Sequence, residues 1–209
     1  MRKHLLFTLA LAVSSLLLAG AHASAQTSGM NGAGAGAAAT TRGIGATVTD
    51  FNLTDVNGAS KSLSEVKGAK GTVIIFISAR CPVVKAYNER MEQLAKDYKA
   101  RGINFVGINA NSTESLDEVK AHASAHYTFP VLIDKGNKIA DRLGAEHTPE
   151  VFFLDASNKL VYHGRIDNNR DQGMVSKSEL KNALDAVLAG KAVAVTETAA
   201  IGCSIKRVE

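Results

Sequence analysis

Tryptophan is absent from the 209 residues, cysteine occurs twice and proline three times. Two thiols exclude a disulfide-dense mini-protein and a four-thiolate zinc site. Basic runs are missing as well: 24 Lys+Arg are dispersed among 20 Asp+Glu, and the formal charge is +4. A nucleic-acid binder needs a basic patch, so no nucleic-acid partner is expected. No Gly-rich phosphate loop, H-E-x-x-H helix or G-x-S-x-G elbow occurs, which removes the chemistries that depend on those motifs. What is present, 45% apolar and 21% charged residues, suits a packed globular domain.

The first apolar run, Leu5 to Leu18, carries no charge and follows Arg2 and Lys3. Ala21-His22-Ala23 and Ala23-Ser24-Ala25 then offer small-residue cleavage sites. This is the three-part form of a secretory leader, and the run falls short of the ~20 residues needed to cross a bilayer. Residues 1–25 are therefore expected to be a cleaved signal peptide. The mature chain is expected to be periplasmic or secreted, with no membrane attachment, in a compartment where a disulfide can persist. Residues 26–43, QTSGMNGAGAGAAATTRG, offer almost no large apolar side chain and predict a flexible tether.

From Ala46 onward the periodicity changes. Phe51 and Leu53 alternate with polar neighbours, Asn57-Gly58 marks a turn, and Lys61-Ser62-Leu63 returns, predicting a β-hairpin. Ser62 with Glu65 can cap one helical turn. The β-branched run Thr72 to Ile77 predicts a strand covered on both faces. Helical spacing from Pro82 to Arg101 puts Val84, Tyr87, Met91, Leu94, Ala95 and Tyr98 on one side. A second strand is expected over Ile103 to Ile108, then a helix capped by Ser112 or Thr113 and running to His126. Phe129 to Ile133 reads as a strand and Lys138 to Leu143 as a helix. Val151 to Asp155 and Lys159 to Tyr162 read as a hairpin, and Ser176 with Glu179 as a capping box for a helix to Leu188. This order predicts an α/β, three-layer fold: a mixed, mainly parallel sheet between helices. The domain spans residues 44–190, and residues 191–209 form a C-terminal segment.

The most informative local feature is Ser78-Ala79-Arg80-Cys81-Pro82. Proline suits the first position of a helix, so Cys81 falls at the N-cap, facing unpaired N–H groups and the positive end of the dipole. Both favour the thiolate, and Arg80 adds to this if its side chain points the same way. Carboxyl ends of strands are where open α/β sheets place their sites. A second feature, Thr148-Pro149, immediately precedes the strand Glu150 to Asp155.

Together these segments resemble the thioredoxin-like superfamily, in its redoxin branch of extracytoplasmic thioredoxins and peroxiredoxins. The likeness covers about Ile44 to Gly190 and rests on the N-terminal hairpin, on FISARCP and on HTPEVFFLDASNKLVYHGRID. It implies that Thr148-Pro149 is the cis-proline loop beside an active Cys81, and that this loop aligns a substrate strand. It also implies that Ser78 hydrogen-bonds the thiolate. The chain departs from both relatives. The second cysteine of a thioredoxin C-x-x-C is Val84 here. In the peroxiredoxin pattern P-x-x-x-[TS]-x-x-C the proline position is Ile74, only Ser78 fitting, and Pro149 stands where the peroxidase arginine belongs. Arg165 or Arg170 are the available substitutes.

Cys203, in Ile201-Gly202-Cys203-Ser204-Ile205, is taken as the resolving thiol, with Gly202 giving the backbone freedom to present it; a structural disulfide or an exposed free thiol are the alternatives. The expected activity is thiol–disulfide exchange, with Cys81 as nucleophile. The alternatives are a thiol peroxidase using the same cysteines and, further off, Cu(I) handling. The partners are then a protein or small-molecule disulfide, or a peroxide, and a thiol reductant or redox partner protein. A homodimer is left open, and no cofactor or resident metal is expected. His122 and His126, four apart, form a weak metal pair that is more simply solvated. His147 beside the proline loop is a candidate proton donor, and Asp134, Glu150 and Asp155 read as turn or surface groups.

Overall fold

A computed structural model describes residues 43–209. The predicted leader, and the predicted tether up to residue 42, lie outside the described residues. The sheet is built on β3 (Gly71–Ile77), which is buried at every position. Its alternation divides the run between two cores: Val73, Ile75 and Ile77 enter one, Ile74 and Phe76 the other. This is why the sequence there is continuously apolar.

On one side of β3 lies β4 (Ile103–Asn109), parallel, followed by β5 (Val131–Ile133), also parallel. On the other side β7 (Glu150–Asp155) and β8 (Leu160–Gly164) form an antiparallel hairpin, with β7 antiparallel to β3. β1 (Asn52–Asp55) and β2 (Ser60–Ser62) form the N-terminal hairpin, and β1 runs antiparallel to β5. The strand order is β2-β1-β5-β4-β3-β7-β8. β2, β5, β4, β3 and β8 run one way and β1 and β7 the other, so the sheet is mixed, with hydrogen-bonded neighbours parallel at β3–β4 and β4–β5 and antiparallel at the other pairings. Periodicity identifies strands but not their neighbours, and both terminal hairpins join the sheet against its direction.

α2 (Pro82–Lys99), α3 (Leu116–His126) and α5 (Glu179–Leu188) fill one core, which includes Tyr87, Val119 and Leu184. α1 (Leu63–Val66) and α4 (Lys138–Leu143) contribute Leu63 and Ile139 to the other. Two caps differ from expectation. Ser115, not Ser112 or Thr113, caps α3, in a reciprocal box with Glu118; the Ser112 hydroxyl donates instead to the Arg207 carbonyl at 2.8 Å. Ser176 accepts from Asn168 Nδ2 at 2.8 Å, and Ser178 stands at the N-cap of α5 without a side-chain cap bond.

A separate two-stranded ribbon pairs β6 (His147–Thr148) with β9 (Cys203–Ser204) in antiparallel register. The chain reaches it along β8: the His163 N–H donates to the Thr196 carbonyl at 2.9 Å and the Thr198 N–H to the His163 carbonyl at 3.0 Å. Beyond β9, Ile205 is buried and its N–H donates to the Glu146 carbonyl at 2.9 Å. Among the described residues no helix is long and apolar enough to cross a membrane.

Candidate active site

β3 ends at Ile77, and the next four residues turn the chain into α2. Cys81 is the N-cap of that helix and Pro82 its first residue. The turn is held from inside by Ser78, whose Oγ accepts from the Cys81 N–H at 3.0 Å and the Arg80 N–H at 3.2 Å. Ser78 in turn donates to Glu114 Oε1. Glu114 is the hub: its carboxylate accepts from the Ala79 N–H at 2.9 Å, from the Arg80 N–H at 3.3 Å and from Asn109 Nδ2 at 2.7 Å. A loop with three otherwise unpaired N–H groups is thus tied to the end of β4 and the approach to α3.

Facing this turn is the Thr148–Pro149 peptide, which is cis. Thr148 and Pro149 are buried, and the Cys81 Sγ–H donates to the Thr148 carbonyl at 3.2 Å. Glu150, 3% exposed, anchors the loop from behind. Its carboxylate accepts from the Glu146 and His147 N–H groups, each at 2.7 Å, and lies 2.7 Å from His163 Nε2. Burial pushes this carboxyl up, but His163 and the two N–H groups outweigh that and hold it below its ordinary value.

Thr148 is opposite Cys203 in the β6–β9 register, and the Thr148 hydroxyl donates to the Cys203 carbonyl at 3.4 Å. Cys81 is 3% exposed and Cys203 is half-buried against the same core. Gly202 does not carry a positive φ, so its value is not conformational freedom. A Cβ there would stand 2.1 Å from the Thr148 carbonyl oxygen, so only glycine permits this approach.

The two thiols are electrostatically unequal. Burial pushes the Cys81 thiol up, but the Cys203 thiol, the Val84 and Cys203 N–H groups and Thr148 outweigh it and bring it below the usual cysteine value. Cys203 is pushed up by burial and by the hydrogen bond and charge of Cys81. The arrangement therefore favours one thiolate, on Cys81, with Cys203 as its proton-bearing neighbour.

Residues 44–163 match the AhpC/TSA family. The chain belongs to that family. The thiol-disulfide oxidoreductase ResA of Halalkalibacterium halodurans is 30% identical over 117 residues, which covers 56% of this chain and 65% of ResA. A crystal structure of a hypothetical protein from Sinorhizobium meliloti 1021 is 37% identical, with a TM-score of 0.74, covering 79% of this chain and 95% of that one. The exposed lipoprotein thioredoxin of Streptococcus pneumoniae TIGR4, 22% identical over 66% of this chain and 99% of its own, shares the fold with a TM-score of 0.53.

At the start of α2, Cys81, Cys203, Thr148 and Pro149 lie together. Ser78 and Arg80 are placed differently. Ser78 is spent on backbone N–H groups and Glu114 rather than on the sulfur. The Arg80 guanidinium clamps Glu118 in a bidentate pair at 2.8–3.0 Å, on the exposed side of α3, and supports the turn from outside. Arg165 is paired with Glu179, and Arg90 with Asp167 at 2.6 Å. Arg170 is exposed.

His147 lies 3.9 Å from Glu150. His122 is not freely solvated: its ring is 4.7 Å from that of His126 and 3.3 Å from the Tyr127 hydroxyl, and burial first, then His126, hold it down to about 4. Among the described residues no three His, Cys, Asp or Glu side chains converge as a metal site. Asp155 does serve its turn, accepting from Ser157 and Lys159, whereas Asp134 is buried and caps α4 through the Ile139 and Ala140 N–H groups. Glu114 escapes the sequence reading, and Glu150, expected there to be a turn or surface group, is instead buried behind the proline loop. The available signal was their position, two carboxylates beside the two loops that frame Cys81.

Proposed function

We propose that this chain is an exported thiol–disulfide oxidoreductase in which Cys81 attacks and Cys203 resolves. The observation that carries it is the β6–β9 register, which sets Cys203 opposite Thr148 while the Cys81 sulfur bonds to the Thr148 carbonyl. The names of the ResA relatives support the same chemistry, and the leader-like residues 1–25 support export. The Cys81 thiolate attacks one sulfur of a substrate disulfide; the other sulfur leaves as a thiolate with the electron pair, and a mixed disulfide remains. Cys81 then carries no charge, which removes one of the influences holding Cys203 protonated. The Cys203 thiolate attacks the Cys81 sulfur, closing a Cys81–Cys203 bond and expelling the second substrate thiol. The substrate has gained two electrons from the pair, and an external thiol reductant or redox partner protein, itself oxidised to a disulfide, supplies two electrons that restore both thiols.

The test is turnover of a model disulfide with a dithiol reductant, alongside hydrogen peroxide as the competing oxidant. Wild-type protein is expected to reduce the disulfide and Cys81→Ser to lose that activity by about a thousandfold or more. Rapid peroxide consumption with no disulfide reduction would contradict this reading and favour the peroxidase.

A further inference from the structure

The strand site that holds Cys203 is more selective than thiol exchange requires. The residue before the cysteine has no room for a side chain: a Cβ at Gly202 would also come within 3.0 Å of the Pro149 nitrogen, besides striking the Thr148 carbonyl. The residue two places after it, Ile205, is 6% exposed and packs into the core formed with α1 and α4. Ser204 and Lys206, between and beyond, are exposed, and Lys206 is held by its backbone alone, its N–H donating to Asn111 Oδ1 at 2.9 Å and its carbonyl accepting from the Ser112 N–H at 2.8 Å. The chain's own extended segment thus fills the β6 edge beside the Thr148–Pro149 peptide.

Resting on the oxidoreductase reading of Cys81, we propose that the β6 edge is a docking site for an extended segment of the form Gly-Cys-x-apolar. Residues 202–205 are its resident occupant, and an external polypeptide of that form reaches Cys81 by displacing them. In the exchange the Cys81 thiolate attacks the cysteine sulfur of the incoming segment. A new S–S bond forms, the old one breaks, and the former partner of that sulfur leaves as a thiolate.

The test uses full-length protein in a Cys203→Ser background, where the strand stays docked. It is compared with C203S/G202V, in which valine drives the strand off Thr148, and with C203S/I205S, which loosens its far end. The probe is a synthetic peptide of residues 198–208 whose cysteine is a mixed disulfide with thionitrobenzoate, so that attack releases the coloured thiolate. A second peptide has valine in place of its glycine, and dithiobis(nitrobenzoate) reports access by a small disulfide. Relative to that small disulfide, the glycine peptide is expected to react about tenfold or more faster on the loosened variants than on C203S. On the loosened variants it should also outpace the valine peptide by about tenfold. Equal rates for the two peptides, or a peptide-to-small-disulfide ratio that does not change between docked and loosened proteins, would overturn the docking site. No release from the small disulfide by any of the three proteins would contradict the oxidoreductase reading itself, and the docking site with it.

Discussion

Cys203→Ser is expected to halt the reaction at the mixed disulfide and to lower multiple turnover by about a hundredfold or more. The nucleophile remains at the start of α2, still facing the Thr148 carbonyl, so the first bond still forms. With no thiol opposite Thr148, the adduct persists until an external thiol enters. Intact mass after mixing with a model disulfide should show one substrate half attached to this variant, mapped to Cys81. Cys81→Ser should show none, because an alcohol at that position has no anion to offer at neutral pH. Unimpaired turnover by Cys203→Ser would remove Cys203 from the mechanism and leave resolution to a second molecule.

Glu114→Ala is expected to slow the first step by about ten- to a hundredfold, although Glu114 has no contact with the sulfur in the network described. The carboxylate holds the Ala79 and Arg80 N–H groups and orients Ser78, which holds the Cys81 N–H. Without it the turn loosens, and the donors that lower the Cys81 thiol lose their alignment. The sign is diagnostic. Loss of a nearby negative charge alone would move the midpoint of Cys81 alkylation to lower pH, whereas loss of alignment moves it up toward an ordinary thiol. We expect the upward shift, with partial recovery in Glu114→Gln, whose carbonyl still accepts an N–H but whose amide faces the Asn109 donor. The same shift has a linkage consequence. Because Cys81 is lowered in the folded protein, its ionisation contributes stability that is fully present above the ordinary thiol value and is lost as pH falls through the folded value. That contribution should shrink in Glu114→Ala.

The parts of this site that were readable from the sequence are those set by near neighbours. Cys81-Pro82 after a β-branched run defines a strand, an N-cap and a helix within a dozen residues. The cis geometry of Thr148-Pro149 followed from likeness to a family rather than from the dipeptide itself. The parts that were not readable depend on distant chain closure. Glu114 lies in a polar loop and looks like a surface carboxylate, yet it meets Ser78 from a different strand end. Glu150 reads as a surface or turn group because a charged residue opening a strand is usually solvated; its burial follows from the His163 ring, which stands opposite Phe152 on the neighbouring strand and reaches the Glu150 carboxylate. Arg80 was judged by its neighbour Cys81, while its real partner, Glu118, comes from α3. Gly202 was read for flexibility, but its constraint is the nearness of the Thr148 carbonyl.

Cys81 and Cys203 of one chain are expected to form a single redox couple across the β6–β9 ribbon. Its most direct measurement is a peptide map of the wild-type protein after one equivalent of a model disulfide, with thiols blocked before and after reduction. One intrachain Cys81–Cys203 bond in a monomeric species is expected, formed together with release of both substrate thiols. Oxidised Cys81 found without a bond to Cys203, or Cys203 recovered as a free thiol throughout, would contradict it.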